Sequence, residues 1–349
     1  MSAINTVYVP VYAPDRSKLM PTVPSRARRW IKQGKAISFW DHGIFCIRLT
    51  FEPSGRETQQ IAVGIDPGSK KEGYTVKSQA HTYLNIQADA VTWVKEAVKT
   101  RREMRRARRF RKTPCRKNRH NRARGGLPPS TKARWQWKLR LCNWLYRLFP
   151  ITNFIVEDIS AKTIGKRKFD ATFSPLQVGK DWFYGELGKL GKLQLRSGWE
   201  TKLLREELGL KKTKDKSAEK WTAHCIDSWT LAWYSVWGDT VPDNTRLLCI
   251  TPLRFHRRQL HKLQPAEGGT RKREGGTLSH GFKRGSLVKH IKYGVTYVGG
   301  YLKDRISLHC LDTGRRLAQN IKTKDCKFLT YNSWRARLLP RTSSWASAA

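Results

Sequence analysis

Residues 61–76, IAVGIDPGSKKEGYTV, constrain the fold more than any other stretch of the chain. The first six residues are small or apolar up to Asp66, which predicts a buried strand that ends at this carboxylate. Pro67 and Gly68 then break the strand, and residues 73–76 predict a second strand that returns beside the first. A carboxylate at the exposed end of a central strand suits a divalent metal, although Asp66 alone is equally explained by a surface turn. Carboxylates further along the chain favour the metal site.

The charge of the chain points to a polyanionic partner. There are 69 Lys and Arg residues against 27 Asp and Glu residues, which gives a net charge of +42. A compact chain this basic repels itself, so nucleic acid is the expected partner and an anionic membrane the alternative. The sequence has no stretch of about 18 apolar residues that would span a membrane. The sequence also shows no signal peptide. Its seven scattered Cys form no C-x-x-C pair, and this spacing argues against a zinc ribbon or a disulfide framework and favours a reducing cytoplasm.

Two basic segments are predicted to bind nucleic acid. The first is a short helix, capped at Ser25 and stopped at Gly34. The second begins after Val91, where no helix breaker occurs before residue 113, and thirteen of the 24 residues 101–124 are Lys or Arg. Charge nearly all round a helix cannot be buried in a core, and few acids balance it, so a nucleic-acid backbone is favoured over a solvated face. The predicted contacts are Arg26, Arg28, Arg29, Arg101, Arg102, Arg105, Arg106, Arg108, Arg109, Arg111 and Lys112.

Two later segments of the sequence contain further candidate site residues. A helix capped at Ser130 is predicted to precede a short strand that ends in Glu157 and Asp158. Residues 217–237 predict an amphipathic helix on which His224 and Asp227, three residues apart, share a face. This pair alone is also explained by a local polar contact, and the Trp residues of the helix by core packing. From about residue 246, short strands and turns predict a small β-barrel.

Asp66 therefore follows a first strand, Glu157 follows a fourth strand, and Asp227 lies on a later helix. This order is that of an α/β, ribonuclease-H-like fold, in which the ends of the first and fourth strands lie side by side. The three carboxylates are predicted to bind two Mg²⁺ ions, or Mn²⁺ in their place, whose shells prefer oxygen ligands. Two such ions, about 4 Å apart, activate a water and stabilise the leaving 3′ oxygen in phosphodiester hydrolysis. His224 is predicted either to bind a metal or to orient the water.

Several motifs resemble those of transposon-encoded RNA-guided nucleases. GIDPGSKKEGY, VED and HCIDS resemble the three split motifs of their RuvC domains, and RREMRRARRFRK resembles their arginine-rich bridge helix. KLMPT with the basic helix after it resembles the PLMP domain of the IscB and IsrB proteins, with Lys18 where that motif has its first Pro. Only 66 residues separate Glu157 from His224, without an HNH arrangement, and the paired C-x-x-C motifs of TnpB are missing. The chain therefore resembles the IsrB family.

This resemblance implies a RuvC core split by a bridge helix, with a small N-terminal α+β (PLMP) domain and a C-terminal β-barrel-like domain. It implies a nickase that binds an ωRNA guide, pairs it with double-stranded target DNA beside an adjacent motif, and cuts the displaced strand. Asp66, Glu157 and Asp227 would be the catalytic acids, with His224 as their partner, and Arg254, Arg257 and Arg258 would contact nucleic acid. We expect a prokaryotic, cytoplasmic, DNA-associated protein that is a monomer in its ribonucleoprotein and binds no membrane. The implied segments are PLMP 1–55, RuvC 56–90, bridge helix and basic loop 91–125, RuvC 126–200, RuvC 201–245, and a target-adjacent-motif domain 246–349.

Two other functions remain open from the residues alone. A guide-independent nuclease, such as a junction resolvase or a transposase, needs the three carboxylates but not the bridge helix. A nucleic-acid-binding scaffold protein needs the charge but not the carboxylates. Activity without added RNA would favour the first, and an Asp66→Ala variant that is unchanged in every activity would favour the second.

Overall fold

The computed structural model shows two compact units. The first contains the described residues up to 38, from 46 to 249 and from 338 onward, and the second contains those at 39–45 and 250–337. The described residues are 8–112, 129–158, 175–252, 278–279, 281–283, 285–302, 304–311, 313–331 and 334–339. Arg254, Arg257 and Arg258 lie outside this part of the chain. The finer division into six segments remains a prediction.

The N-terminal part of the chain contains four strands and one helix. They are β1 (Val9–Tyr12), β2 (Lys18–Thr22), α1 (Pro24–Lys32), β3 (Ala36–Asp41) and β4 (Ile44–Leu49). β1 pairs antiparallel with β2 and parallel with β4. The predicted cap at Ser25 is wrong, because α1 begins one residue earlier, at Pro24, and Val23 is its N-cap. Proline fits the first helical turn, where its missing N–H costs no hydrogen bond. The predicted stop at Gly34 is confirmed by its φ of 69°, a left-handed conformation.

The first unit is built around a mixed sheet. Its strands are β5 (Ile61–Asp66), β6 (Lys71–Ser78), β7 (Thr82–Asp89), β8 (Asn153–Asp158), β9 (Lys192–Ser197) and β10 (Leu247–Pro252). They lie in the order β10-β7-β6-β5-β8-β9. β5, β6 and β7 form an antiparallel meander, which includes the predicted pair of strands around Pro67, whereas β8 pairs parallel with β5 and β9 parallel with β8. Three antiparallel strands followed by two parallel ones, with the first strand central, are the arrangement of a ribonuclease-H-like sheet.

Five helices connect or cover these strands. They are α2 (Trp93–Phe110), α3 (Pro129–Leu148), α4 (Pro175–Leu187), α5 (Gly198–Glu207) and α6 (Trp221–Val236). Apolar residues at helical spacing on α3 are all buried: Trp137, Leu141, Trp144, Leu145 and Leu148. Ser130 lies inside α3 and not before it, so the predicted cap is again wrong. In both cases a Pro directly before the Ser supplies the first helical residue.

α6 is buried on nearly all sides, which differs from the predicted amphipathic helix. Thirteen of its 16 residues are buried. Its close approach to the sheet requires glycine at two positions. A Cβ on Gly64 of β5 would lie 1.8 Å from the carbonyl oxygen of Ser228, and one on Gly73 of β6 would lie 2.4 Å from that of His224. The backbone of α6 thus lies directly against β5 and β6.

The second unit contains short strands. They are β11 (Leu278–Ser279), β12 (Phe282–Lys283), β13 (Ser286–His290), β14 (Gly294–Leu302), β15 (Arg305–His309), β16 (Arg316–Ile321), β17 (Cys326–Tyr331) and β18 (Trp334–Leu338). Five of them form a sheet in the order β16-β15-β14-β13-β17, with a core that includes Val288, Val298, Ile306 and Leu308. The predicted strands are confirmed. Within the described residues this sheet has β16 and β17 as its two edges, so the predicted closure into a barrel is not seen there. In the same residues, no helix has the length and apolar character needed to cross a membrane.

Candidate active site

Asp66 and Glu157 lie on neighbouring strands at the same edge of the sheet. Ile65 of β5 pairs with Val156 of β8 in the parallel ladder, and the two carboxylates come one residue later on each strand. Parallel strands bring such residues side by side, as the sequence predicted. The ends of the first and fourth strands of the fold therefore meet here.

Both carboxylates face α6. Alternate residues of a strand point to one face, and Ala62 of β5 and Ile155 of β8 pack against Leu231 and Ala232 of α6. Asn153, two residues before Ile155, donates its side-chain N–H to the hydroxyl of Ser235 at 2.9 Å. Continuing this period of two places Asp66 and Glu157 on the α6 side of the sheet.

α6 brings His224 to Asp66. The Nδ1 atom of His224 lies 3.5 Å from Oδ2 of Asp66, and its Nε2 atom lies 2.9 Å from the carbonyl oxygen of Lys216. Burial alone would lower the pKa of His224, but hydrogen bonds to Asp66 and to the Lys216 carbonyl outweigh it, so the pKa is raised. Both partners are acceptors, which favours the doubly protonated ring.

Asp227, one helical turn after His224, is held by two cations that the sequence reading did not single out. Its side chain is almost fully buried, and its two carboxylate oxygens accept hydrogen bonds from Arg205 of α5 and from Lys212. The signal that could have identified Lys212 is the basic run KKTKDK at residues 211–216, directly before α6. Arg205 has no comparable local signal, because only the fold brings α5 to α6.

The three carboxylates interact electrostatically. Burial raises the pKa of Glu157, and the negative charges of Asp66 and Asp227 raise it further, to about 7. Lys212 and Arg205 act in the opposite direction, with smaller effects. Like charges converge at this edge of the sheet, which is the environment that a bound cation relieves.

The metal site predicted for these residues stays a prediction. No group of three or more His, Cys, Asp or Glu side chains in the described part of the chain lies close enough together to hold a metal ion. The donor set itself fits Mg²⁺ or Mn²⁺, because Asp66, Glu157 and Asp227 offer hard oxygen ligands and repel one another. For Asp227 to join such a site, its ion pairs with Arg205 and Lys212 must open.

A basic cleft leads to the carboxylates. It has a volume of about 730 Å³, and Asp66, Glu157 and His224 line it. The turn after β5, the first residue of β6 and the segment before α6 supply five lysines to its walls: Lys70, Lys71, Lys212, Lys214 and Lys216. An acidic centre with basic walls suits a phosphodiester, because the walls attract the phosphates and the acids attract cations.

The two basic segments predicted from the sequence form the helices α1 and α2. Arg26, Arg28 and Arg29 are exposed on α1. On α2, Arg102, Arg106 and Arg109 are exposed and Arg105 is half-buried, while Arg101 and Arg108 belong to the same helix. Arg111 and Lys112, which follow its end, are exposed. Among the described side chains, Arg102, Arg105, Arg106 and Arg109 form no ion pair with a carboxylate within 4 Å.

The fold and the site define a ribonuclease-H-like core with converging acids and basic approaches. The chain matches the family described as RRXRR protein over residues 9–169, which contain the sequence RRARR at positions 105–109. No curated protein matches significantly. Among solved structures, RuvC of T. thermophilus in complex with a Holliday junction substrate aligns at 15% identity over 50% of this chain and 90% of that chain, with a TM-score of 0.27. Because that score is low, the fold assignment rests on the strand order.

Proposed function

We propose that this protein is an RNA-guided DNA endonuclease with a single RuvC-type active site, a nickase similar to IsrB. The observation that carries the proposal is the meeting of Asp66 and Glu157 on adjacent strands under the helix that bears His224 and Asp227. The RRXRR match supports it, because that family is found in IscB- and IsrB-like proteins. Together with the strand order, the match indicates a nuclease of the RuvC type.

The chemistry divides between the carboxylates and the residues around them. Bound divalent cations would supply an activated water and stabilise the leaving 3′ oxygen. Asp66, Glu157 and Asp227 would hold them. His224 orients Asp66, because one ring nitrogen faces that carboxylate while the other is fixed by the Lys216 carbonyl. The lysines of the cleft would hold the phosphates on either side of the scissile bond.

The charge distribution supports an RNA guide. If base pairing selects the target, the protein needs contacts to backbone and shape only, which exposed arginines on α1 and α2 supply. A 349-residue chain also has little surface to enclose a heteroduplex of roughly 20 base pairs, so the RNA would supply part of the scaffold. We therefore propose an ωRNA guide and double-stranded target DNA with an adjacent motif as the partners.

The proposal of a nickase rests on a single nuclease site. Between Glu157 and His224, the structure describes α4, β9 and α5, which belong to the ribonuclease-H-like core. In this described part of the interval there is no additional nuclease domain. We therefore propose that the protein cuts one strand of the duplex.

A strand-resolved cleavage assay tests the proposal. The protein is prepared with its ωRNA, and each strand of the target duplex carries a different label. We expect a guide-dependent nick in one strand that needs Mg²⁺ and is abolished by Asp66→Ala. The matched control, Asp181→Ala, removes an exposed acid of α4 and should leave the nick intact. Cleavage without RNA would contradict the proposal and indicate a guide-independent nuclease. RNA binding without any cleavage would indicate a scaffold protein.

A further inference from the structure

The first turn of α5 lies against one of the proposed catalytic acids. A Cβ added to Gly198 would lie 2.9 Å from Oε1 of Glu157. The turn is fixed by a capping box, in which the Ser197 hydroxyl accepts from the backbone N–H of Glu200 and the Glu200 carboxylate accepts from Ser197. The side chains in the first turn of α5 are therefore held in a constant position beside the proposed active site.

One side chain in this first turn of α5 is an exposed tryptophan, Trp199. Trp199 follows Gly198 directly, and 68% of its surface is accessible. Leu195 on β9 and Leu203, one turn further along α5, are also exposed. β9 is an edge of the sheet, so no described strand covers Leu195 on this side.

Basic side chains line a groove beside the first turn of α5, where Gly198 precedes Trp199. A groove of about 400 Å³ with Glu157 and Asp227 in its lining is also lined by Lys202, Lys214 and Lys216. Lys202 is three residues after Trp199, so the two side chains share one face of α5. Among the described residues, the ammonium groups of Lys214 and Lys216 have no carboxylate within ion-pair distance. Asp215, between them, instead accepts hydrogen bonds from the N–H and hydroxyl of Ser217.

We infer that Trp199 is a stacking platform for an unpaired base of the DNA strand that enters the active site, with Lys202, Lys214 and Lys216 as its phosphate contacts. Single-stranded nucleic acid is bound by this combination of an aromatic face and a basic groove. A duplex hides its base faces and cannot stack on an isolated indole. The inference rests on the proposed function for the identity of the strand, because it names the residues that position it.

The test measures binding separately from cleavage. The full-length Asp66→Ala protein, loaded with ωRNA and kept in EDTA, is titrated with a labelled single-stranded DNA of about 12 nucleotides, within the usual site size. The probe carries one 2-aminopurine, whose fluorescence is quenched when it stacks. Trp199→Ala should weaken binding about 5- to 150-fold and remove the quenching. Trp199→Phe should retain most of both, whereas Trp199→Leu, which is apolar but has no π face, should lose them.

Controls separate stacking from general effects. Trp40→Ala removes another exposed tryptophan, 64% accessible, that lies on β3 and not on α5, and should leave binding unchanged. Lys214→Gln should lower the slope of log affinity against log salt by about 0.7, the value for one phosphate contact of a single strand. Binding of a blunt duplex should not respond to Trp199.

Several results would overturn the inference. Full binding by Trp199→Leu would show an apolar contact and not a stacked base, and an equal loss in Trp40→Ala would show a general effect. If an RNA probe alone depended on Trp199, the platform would belong to the guide and not to the target strand. If Trp199→Ala lost binding while the wild type cut nothing under any condition, the result would support the stacking platform and contradict the proposed nuclease activity.

Discussion

Lys138 of α3 donates a hydrogen bond to the carboxylate of Glu72 on β6, and its Nζ atom also lies 3.4 Å from the carbonyl oxygen of Gly68. Both side chains are buried, and the hydroxyl of Tyr74 donates to the second oxygen of Glu72 at 2.6 Å. Gly68 belongs to the turn that follows Asp66. This buried ion pair therefore ties the turn beside the proposed active site to the helix that follows the basic segment of the chain.

Removing Lys138 alone should be strongly destabilising. Lys138→Met leaves the Glu72 carboxylate buried without its cation, which costs about 3–5 kcal/mol in comparable cases. Burial already raises the pKa of Glu72, and the loss of the Lys138 cation should raise it further. Urea unfolding measures the loss of stability.

The double variant Lys138→Met, Glu72→Leu provides the control. It removes both charges and should be more stable than Lys138→Met alone, because no buried charge remains unpaired. If the double variant were no more stable than Lys138→Met alone, the two charges would not be coupled and the assigned role of the pair would be incorrect.

Gly64→Ala should displace α6 from the sheet. The added methyl group would lie 1.8 Å from the carbonyl oxygen of Ser228, which no side-chain rotation relieves because the contact is to backbone. We expect a loss of more than about 3 kcal/mol in the free energy of unfolding. Gly185→Ala in α4 is the matched control, since its methyl group would meet nothing within 4 Å, and it should stabilise the protein by about 0.5–1 kcal/mol. Equal effects of the two changes would contradict the close packing of α6 on β5.

Lys212→Met should increase the affinity for Mn²⁺. Lys212 binds the Asp227 carboxylate and repels a cation at the same place, so its removal should raise affinity about tenfold, or about 1.4 kcal/mol. Titration calorimetry without nucleic acid measures this effect independently of cleavage. Lys214→Met changes the same basic segment but removes no ion pair to Asp227, so its effect should be smaller. Identical gains in both variants would show that only the general charge matters.

The stability of the metal-free protein should depend on pH through Glu157. Its pKa is near 4.5 without its folded surroundings and about 7 within them. Between these values the folded state binds the extra proton, so the free energy of unfolding should fall as the pH rises from about 4.5 to about 7. Unfolding in EDTA across this range should show a shallower fall for Glu157→Gln than for the wild type. Parallel profiles would mean that Glu157 is not perturbed by its neighbours.

Local patterns were sufficient to predict the elements that determine the fold. The apolar run ending at Asp66, the breaker at Pro67 and the returning strand specify the β5–β6 hairpin without any long-range information. The exposed arginines of α2 follow equally from charge, since no core accepts them. Glu157 was found because β8 is a short apolar run with acids at its end.

What could not be predicted depends on contacts between distant segments. β9 was missed because its sequence, KLQLRS, mixes polar and apolar residues at an edge of the sheet. The burial of α6 on nearly all sides was missed because His224 and Asp227 were assigned to one polar face, yet both are buried in the structure. Likewise, the pairs Lys138–Glu72 and Arg205–Asp227 join residues 66 and 22 positions apart, and charge alone does not identify a partner.

Reprogramming the guide tests the central proposal most directly. The guide segment of the ωRNA is exchanged for a second sequence, and one duplex that contains both targets, each beside the same adjacent motif, is offered with Mg²⁺. The proposal predicts that the nick moves to the second target, stays on the displaced strand, and is absent with Asp66→Ala under either guide. A nick that stays at one position whatever the guide, or that forms without RNA, would contradict it.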